Sequence, residues 1–169
     1  MKKLIAICLT ALICTGAFMG CGKKADSESA QEMKPGNTVQ TVVDKIEAEV
    51  GIAMAENVDD TLLKDIFSVN PEDVEEYAGK FSMAMVNADN VVAIKAKPEK
   101  VQNVVDGLTQ RLEALREQFE TYLPDQKEKL AKGKVLQKGN YVFLLVVGYE
   151  TESFDADIAK AEEIVEAAF

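Results

Sequence analysis

Apolar positions along this chain fall into three kinds of run, and each predicts a different structure. From Leu4 to Phe18 the chain is uncharged and mostly apolar behind Lys2 and Lys3, and small Gly20 follows, the profile of a secretory signal peptide. Leu4 to Gly22 is also just long enough to span a bilayer as an uncleaved anchor, the alternative reading. From Gly22 to Asn37 apolar periodicity is lost among Lys, Ser, Asp, Glu and Gly, and Pro35-Gly36 closes a stretch that reads as a flexible tether.

Beyond the tether the periodicity returns and alternates between helical and extended. Val39, Val42, Val43, Ile46, Val50 and Ala53 recur at three-and-four spacing and predict an amphipathic helix capped by Asn37. Asp59 and Asp60 stand ahead of a short helix over Thr61 to Phe67, which ends before the Asn70-Pro71 turn signal. Glu72 to Tyr77 reads as a helical turn that Gly79 breaks. Lys80 to Asn87 alternates as a strand with Phe81, Met83 and Met85 on one face, and Val91 to Lys97 gives a second strand. Ala88-Asp89-Asn90 joins the two as a hairpin turn.

The longest stripe, Val101, Val104, Val105, Leu108, Leu112, Leu115, Phe119 and Leu123, predicts a helix that opens at Pro98-Glu99 and stops at Pro124. Asp125 to Lys132 adds a short helix closed by Gly133, and Lys134 to Gln137 a strand. Lys138-Gly139-Asn140 is a turn into Tyr141 to Gly148, a strand apolar on both faces and hence central in its sheet. Asp155 or Asp157 caps a last helix with Ile158, Ala161, Ile164, Val165 and Phe169 inward. The fold class expected is α+β, an antiparallel four-stranded sheet of two hairpins packed against helices. Its single domain runs over residues 38–169, after a signal peptide at 1–20 and a lipidated cysteine with tether at 21–37.

The anchor is specified by Phe18-Met19-Gly20-Cys21, which is similar to a bacterial lipobox. Cys21 then becomes the mature N-terminus and the lipid attachment site, carrying diacylglyceryl on sulfur. Removal of the first 20 residues takes two lysines with it, leaving 17 basic against 29 acidic residues and a net charge of −12 in place of −10. Such a surface repels nucleic acid and anionic headgroups, so membrane attachment rests on the lipid.

Composition excludes more chemistry than it suggests. Cys8 and Cys14 fall within the signal, so the domain has neither a disulfide nor a thiol and stands on packing alone. There is no histidine, which removes Ser-His and Cys-His nucleophiles and imidazole zinc sites. Enzyme chemistry would run on carboxylates, Lys or Tyr.

Arg111, Phe119, Tyr122-Leu123-Pro124 and Gly139-Asn140-Tyr141-Val142 resemble the signature of a family of small clostridial lipoproteins carrying the domain of unknown function number 4358. The resemblance covers roughly Val39 to Val147. It implies a Firmicute, membrane-anchored, extracytoplasmic protein, and it implies no activity and no catalytic residue.

Candidate sites are few. At about 100° per residue, Arg111, Gln118 and Tyr122 lie together on one margin of the longest stripe. A guanidinium there suits carboxylate or phosphate recognition; equally, it suits a structural pair with an acid or with a carbonyl beneath the Pro124 turn, which is the expectation. Asp59-Asp60 and Asp155-x-Asp157 with Glu162-Glu163 lack the spacing of a calcium loop and read as helix caps. Met83 and Met85 read as core filling, Tyr141 as a packed ring with a wet hydroxyl, and Gly139-Asn140 as a positive-φ turn. The function expected is a non-catalytic binding or scaffolding module at the cell surface, monomeric, without cofactor, metal or nucleic acid partner. The alternatives are a carboxylate-based hydrolase of cell-wall polymers, which needs two acids facing across a cleft, and a small solute-binding component.

Overall fold

The computed structural model describes residues 31–169, so the expected signal peptide, Cys21 and most of the expected tether lie outside the described residues. Helix α1 (Val39–Val50) is capped by Thr38, which exchanges reciprocal hydrogen bonds with Thr41, and not by Asn37. Two hydroxyls three residues apart satisfy two of the free amides at the helix start, those of Thr38 and Thr41. Asn37 instead donates to the Ala168 carbonyl at 3.3 Å.

Five antiparallel strands form one sheet in the order β1-β2-β3-β5-β4, one strand more than the four expected. The addition is β1 (Ala55–Asn57), whose three exposed residues pair with the end of β2 (Val74–Ser82) from Ala55 opposite Ser82 to Asn57 opposite Lys80. An edge strand held by backbone bonds alone carries no apolar alternation for sequence reading to find. Strand β2 also starts earlier than expected. Only Pro71–Asp73 forms a turn of helix, and Gly79 lies inside the strand, where a Cβ would sit 2.8 Å from Val58 Cγ2 and 3.1 Å from Val92 Cγ2.

At its other end β2 stops at Ser82, so Met83 and Met85 leave the sheet and are exposed, contrary to the core role expected of them. The link to β3 (Asn90–Ala96) is the loop 83–89, not a tight turn over Ala88 to Asn90. The other hairpin follows the sequence closely, with β4 (Lys134–Lys138) and β5 (Tyr141–Val146) joined through Gly139 at φ 55°. All six residues of β5 are buried between β3 and β4.

Helices cover both faces. Val91, Ala93, Tyr141, Phe143 and Leu145 point to α1 and α5 (Phe154–Ala167); Val92, Ile94, Ala96, Val142, Leu144 and Val146 point to the other side. There they meet α2 (Asp60–Asp65), α3 (Val101–Phe119) and α4 (Pro124–Lys132). Alternation along two strands buried on both faces sets this three-layer arrangement. Asp59 caps α2, accepting from Leu62 N at 2.8 Å, as expected of it. Helix α3 stops at Phe119, short of the Pro124 end expected; Pro124 instead opens α4, after Leu123 turns the chain at φ 58°. In α5 neither expected acid is the cap. A turn over Thr151–Ser153 leads in, Asp157 accepts from Ser153 Oγ at 2.5 Å, and Asp155 pairs with Lys132 at 2.5 Å.

The chain enters at one end of the sheet. Glu32 accepts from Tyr141 Oη at 2.7 Å and Lys95 Nζ at 3.2 Å, where β3 finishes and β5 begins. Lys34 N donates to the Ala168 carbonyl at 2.8 Å, so both termini of the described chain meet at this end. Among the described residues no helix is long and apolar enough to cross a membrane.

Candidate functional site

The opposite end of the sheet, where Asn90 pairs with Val146 and Ser82 with Ala55, collects chemistry that the sequence scatters over ninety residues. Every large apolar side chain strongly exposed among the described residues lies in a segment flanking this end. Met54 precedes β1, Met83, Met85 and Val86 follow β2, Tyr149 follows β5, and Tyr122 lies between α3 and α4. Met83 N donates to the Met54 carbonyl at 3.1 Å, so the loop 83–89 and the chain before β1 are joined.

Beneath this rim the loop is fastened from inside. Asp89 is 3% exposed and Lys129 2% exposed, and Lys129 Nζ lies 2.7 Å from Asp89 Oδ1. Asp89 also accepts from Ala53 N at 3.3 Å, and Lys129 stands 5.3 Å from the centre of the Phe154 ring. Gln126 Oε1 accepts from Ala88 N at 2.9 Å, and Asn90 Nδ2 donates to the carbonyls of Ala88 and Asp89. Burial pushes the Asp89 carboxyl up, with Lys129 opposing it. No buried side-chain nitrogen or oxygen among the described residues is left without a hydrogen-bond partner.

Arg111 differs from every other cation described so far. Its Nε donates to Asn90 Oδ1 at 3.1 Å and its guanidinium lies 5.4 Å from the centre of the Phe67 ring. No ion pair to a carboxylate is formed among the described residues, and burial lowers its pKa with no carboxylate to offset the effect. The expected acid or carbonyl beneath Pro124 is not its partner. That carbonyl-binding role falls to Arg116, which donates to Leu130 O and Gly133 O, both at 3.2 Å, and pairs with Glu113 at 2.6 Å.

Arg111 and Gln118 line one cleft of about 170 Å³, walled by Phe81, Leu115 and Phe119 and rimmed by Met83 and Met85. Tyr122 is not among its lining residues and is 61% exposed in the turn beyond. A larger groove of about 390 Å³ runs between α3 and α4 beside Arg116, but the guanidinium there is already engaged. Sequence reading missed Asp89, Asn90, Gln126 and Lys129. The available signal was Gln126, Lys129 and Leu130 at i, i+3 and i+4, a face that puts a lysine inward, and it is hard to distinguish from a solvated stripe.

No curated protein and no solved structure matches this chain. A family profile does: the domain of unknown function DUF4358 matches residues 47–147. That span is more than half of the chain; it holds all five strands together with α2, α3 and α4, and with them the loop 83–89 and the Arg111 cleft. On that match the chain belongs to the DUF4358 family.

Proposed function

We propose that this protein is a lipoprotein of the small clostridial kind that its sequence resembles, anchored through Cys21 at the extracytoplasmic face of the cell membrane. There it acts as a non-catalytic binding or scaffolding module. The observation that carries the binding reading is the polarity of the domain: the chain enters beside Lys95 and Tyr141, and the exposed apolar side chains gather at the far end of the same strands. At about 3.3 Å per residue, the seven residues of β3 separate the two ends by about 20 Å. A tethered domain of this shape turns its apolar end away from its attachment point.

Exposed apolar patches on a soluble domain mark contact surfaces. The net charge of −10 opposes nucleic acid and anionic lipid as partners, which leaves a protein or peptide for this end. A carboxylate-based hydrolase has less support: no Asp or Glu lines the Arg111 cleft, and the acids beside the Arg116 groove, Glu113, Glu117 and Glu120, all come from α3 and its C-cap, not from facing walls. The test has two arms. Metabolic labelling with a palmitate analogue reads the anchor: Cys21→Ala is expected to lose both label and membrane fraction, and retention of both sinks the anchor. A photo-crosslinking residue at Met85 in intact cells is expected to give a reproducible adduct, whereas the same probe at Gln137, near the entry end, gives none. Adducts at both positions or at neither would remove the distal-end reading.

A further inference from the structure

We propose that the cleft between the loop 83–89 and α3 receives the free C-terminal carboxylate of an extended peptide whose last residues are apolar, with Arg111 as the carboxylate-binding group. The proposal rests on the reading of this end as the binding surface and names its ligand. A guanidinium carries five N–H donors, and Arg111 uses one, on Asn90 Oδ1. The four on its two terminal nitrogens make no hydrogen bond to a described residue, and the Phe67 ring centre lies 5.4 Å from the guanidinium carbon. A planar fork fixed by packing and by a bond to its inner nitrogen presents two parallel donors outward, the geometry that takes a carboxylate.

Charge and size narrow the ligand further. The chain has 29 acids, and the other arginine and most lysines of the fold are paired with one, so a half-buried guanidinium left without an acid is the exception. No lysine joins Arg111 in the cleft, so the charge balances a monoanion and not a phosphate dianion. A volume of about 170 Å³ is below the roughly 300–1,000 Å³ that encloses a drug-sized ligand, and suits one terminal residue.

Phe81, Leu115 and Phe119 supply walls for an apolar terminal side chain, and the exposed Gln118 supplies an amide for the last peptide bond, Asn90 being committed to Arg111 and the loop carbonyls. Met83 and Met85 continue the apolar surface outward, and unbranched, polarizable side chains accept varied upstream residues. A fatty acid, the other common apolar carboxylate, calls for a long apolar channel in place of a shallow cleft with amides on its wall.

The experiment uses the full chain in detergent micelles, titrated with a fluorescent peptide Gly-Ser-Leu-Val-Val bearing either a free carboxylate or a carboxamide. Because the two peptides are equally apolar, the difference between them reads the carboxylate and not partition into micelles. Saturable binding of the acid, weaker by about tenfold or more for the amide, is expected, since a charge-assisted pair contributes more than 1.4 kcal/mol. Arg111→Lys keeps the charge without the fork and is expected to lose most of that preference while melting at the parent temperature. Met85→Asp is expected to weaken both peptides. Equal binding of acid and amide, no saturable binding of either, or displacement of the peptide by inorganic phosphate would overturn the proposal; so would tighter binding of oleate than of the acid peptide, which would make the occupant a lipid acid. Anchoring at Cys21 is read separately by labelling, so its failure leaves this titration interpretable.

Discussion

Lys129 Nζ and Asp89 Oδ1 lie 2.7 Å apart with both side chains at most 3% exposed, and this pair ties α4 to the loop that carries the exposed methionines. Burial costs Asp89 more than Lys129 returns in attraction, so the pair contributes little by itself, but removing one partner leaves the other charge buried and uncompensated. Lys129→Met is therefore expected to destabilise the domain by about 3–5 kcal/mol, leaving Asp89 as an uncompensated buried charge. The double replacement with Asp89→Asn should lose less than this single one. Chemical denaturation of both variants checks it; a double variant destabilised as much as Lys129→Met or more would remove the uncompensated Asp89 charge as the cause.

Tyr77 Oη donates to Asp60 Oδ1 at 2.6 Å, and burial followed by this bond pushes the phenol up to about 12. Since the folded chain holds this proton in a range where the unfolded chain, at about 10, has released it, stability should fall as pH rises from about 10 to about 12. Ultraviolet titration of Asp60→Asn is expected to bring one tyrosine back toward its ordinary range. An unchanged titration curve would remove the carboxylate as a cause.

Gly107 sits inside α3, where a change to Ala ordinarily stabilises a helix by about 1 kcal/mol. Here a Cβ would fall 2.5 Å from the Ser68 carbonyl oxygen, and backbone cannot swing aside as a side chain does. Gly107→Ala should reverse the usual sign and cost about 1–3 kcal/mol, measured by thermal or denaturant unfolding.

Met85 is 89% exposed and Phe81 7%, although both fall on one face of the strand that the sequence suggests. Met85→Gln is expected to change stability by no more than about 0.5 kcal/mol, against about 3–5 kcal/mol for Phe81→Ala. A large loss at Met85 would place the loop in the core.

Much of the secondary structure was legible because the local pattern and the tertiary environment agree. The three-and-four spacing of Val39 to Ile46 and of Val104 to Phe119 marks faces that pack on the sheet, and Gly139-Asn140 marks the only short route from β4 into β5. Where the two disagree, reading failed. Phe81-Ser82-Met83-Ala84-Met85 alternates throughout, yet pairing with β3 ends once Asp89 is drawn inward by Lys129, a residue forty positions away. Ala55-Glu56-Asn57 has no pattern at all and becomes a strand only because β2 offers it a free edge.

The candidate site divides along the same line. Helical geometry alone puts Arg111 and Gln118 on one margin of a stripe, since one hundred degrees per residue is a property of the backbone. Whether that margin is closed by an acid, by a carbonyl or by a ligand depends on which loop lies over it, and the loop 83–89 arrives there through contacts with Gln126 and Lys129. Periodicity is local and can be read along the chain; the partner of a buried charge is a long-range choice, decided by packing.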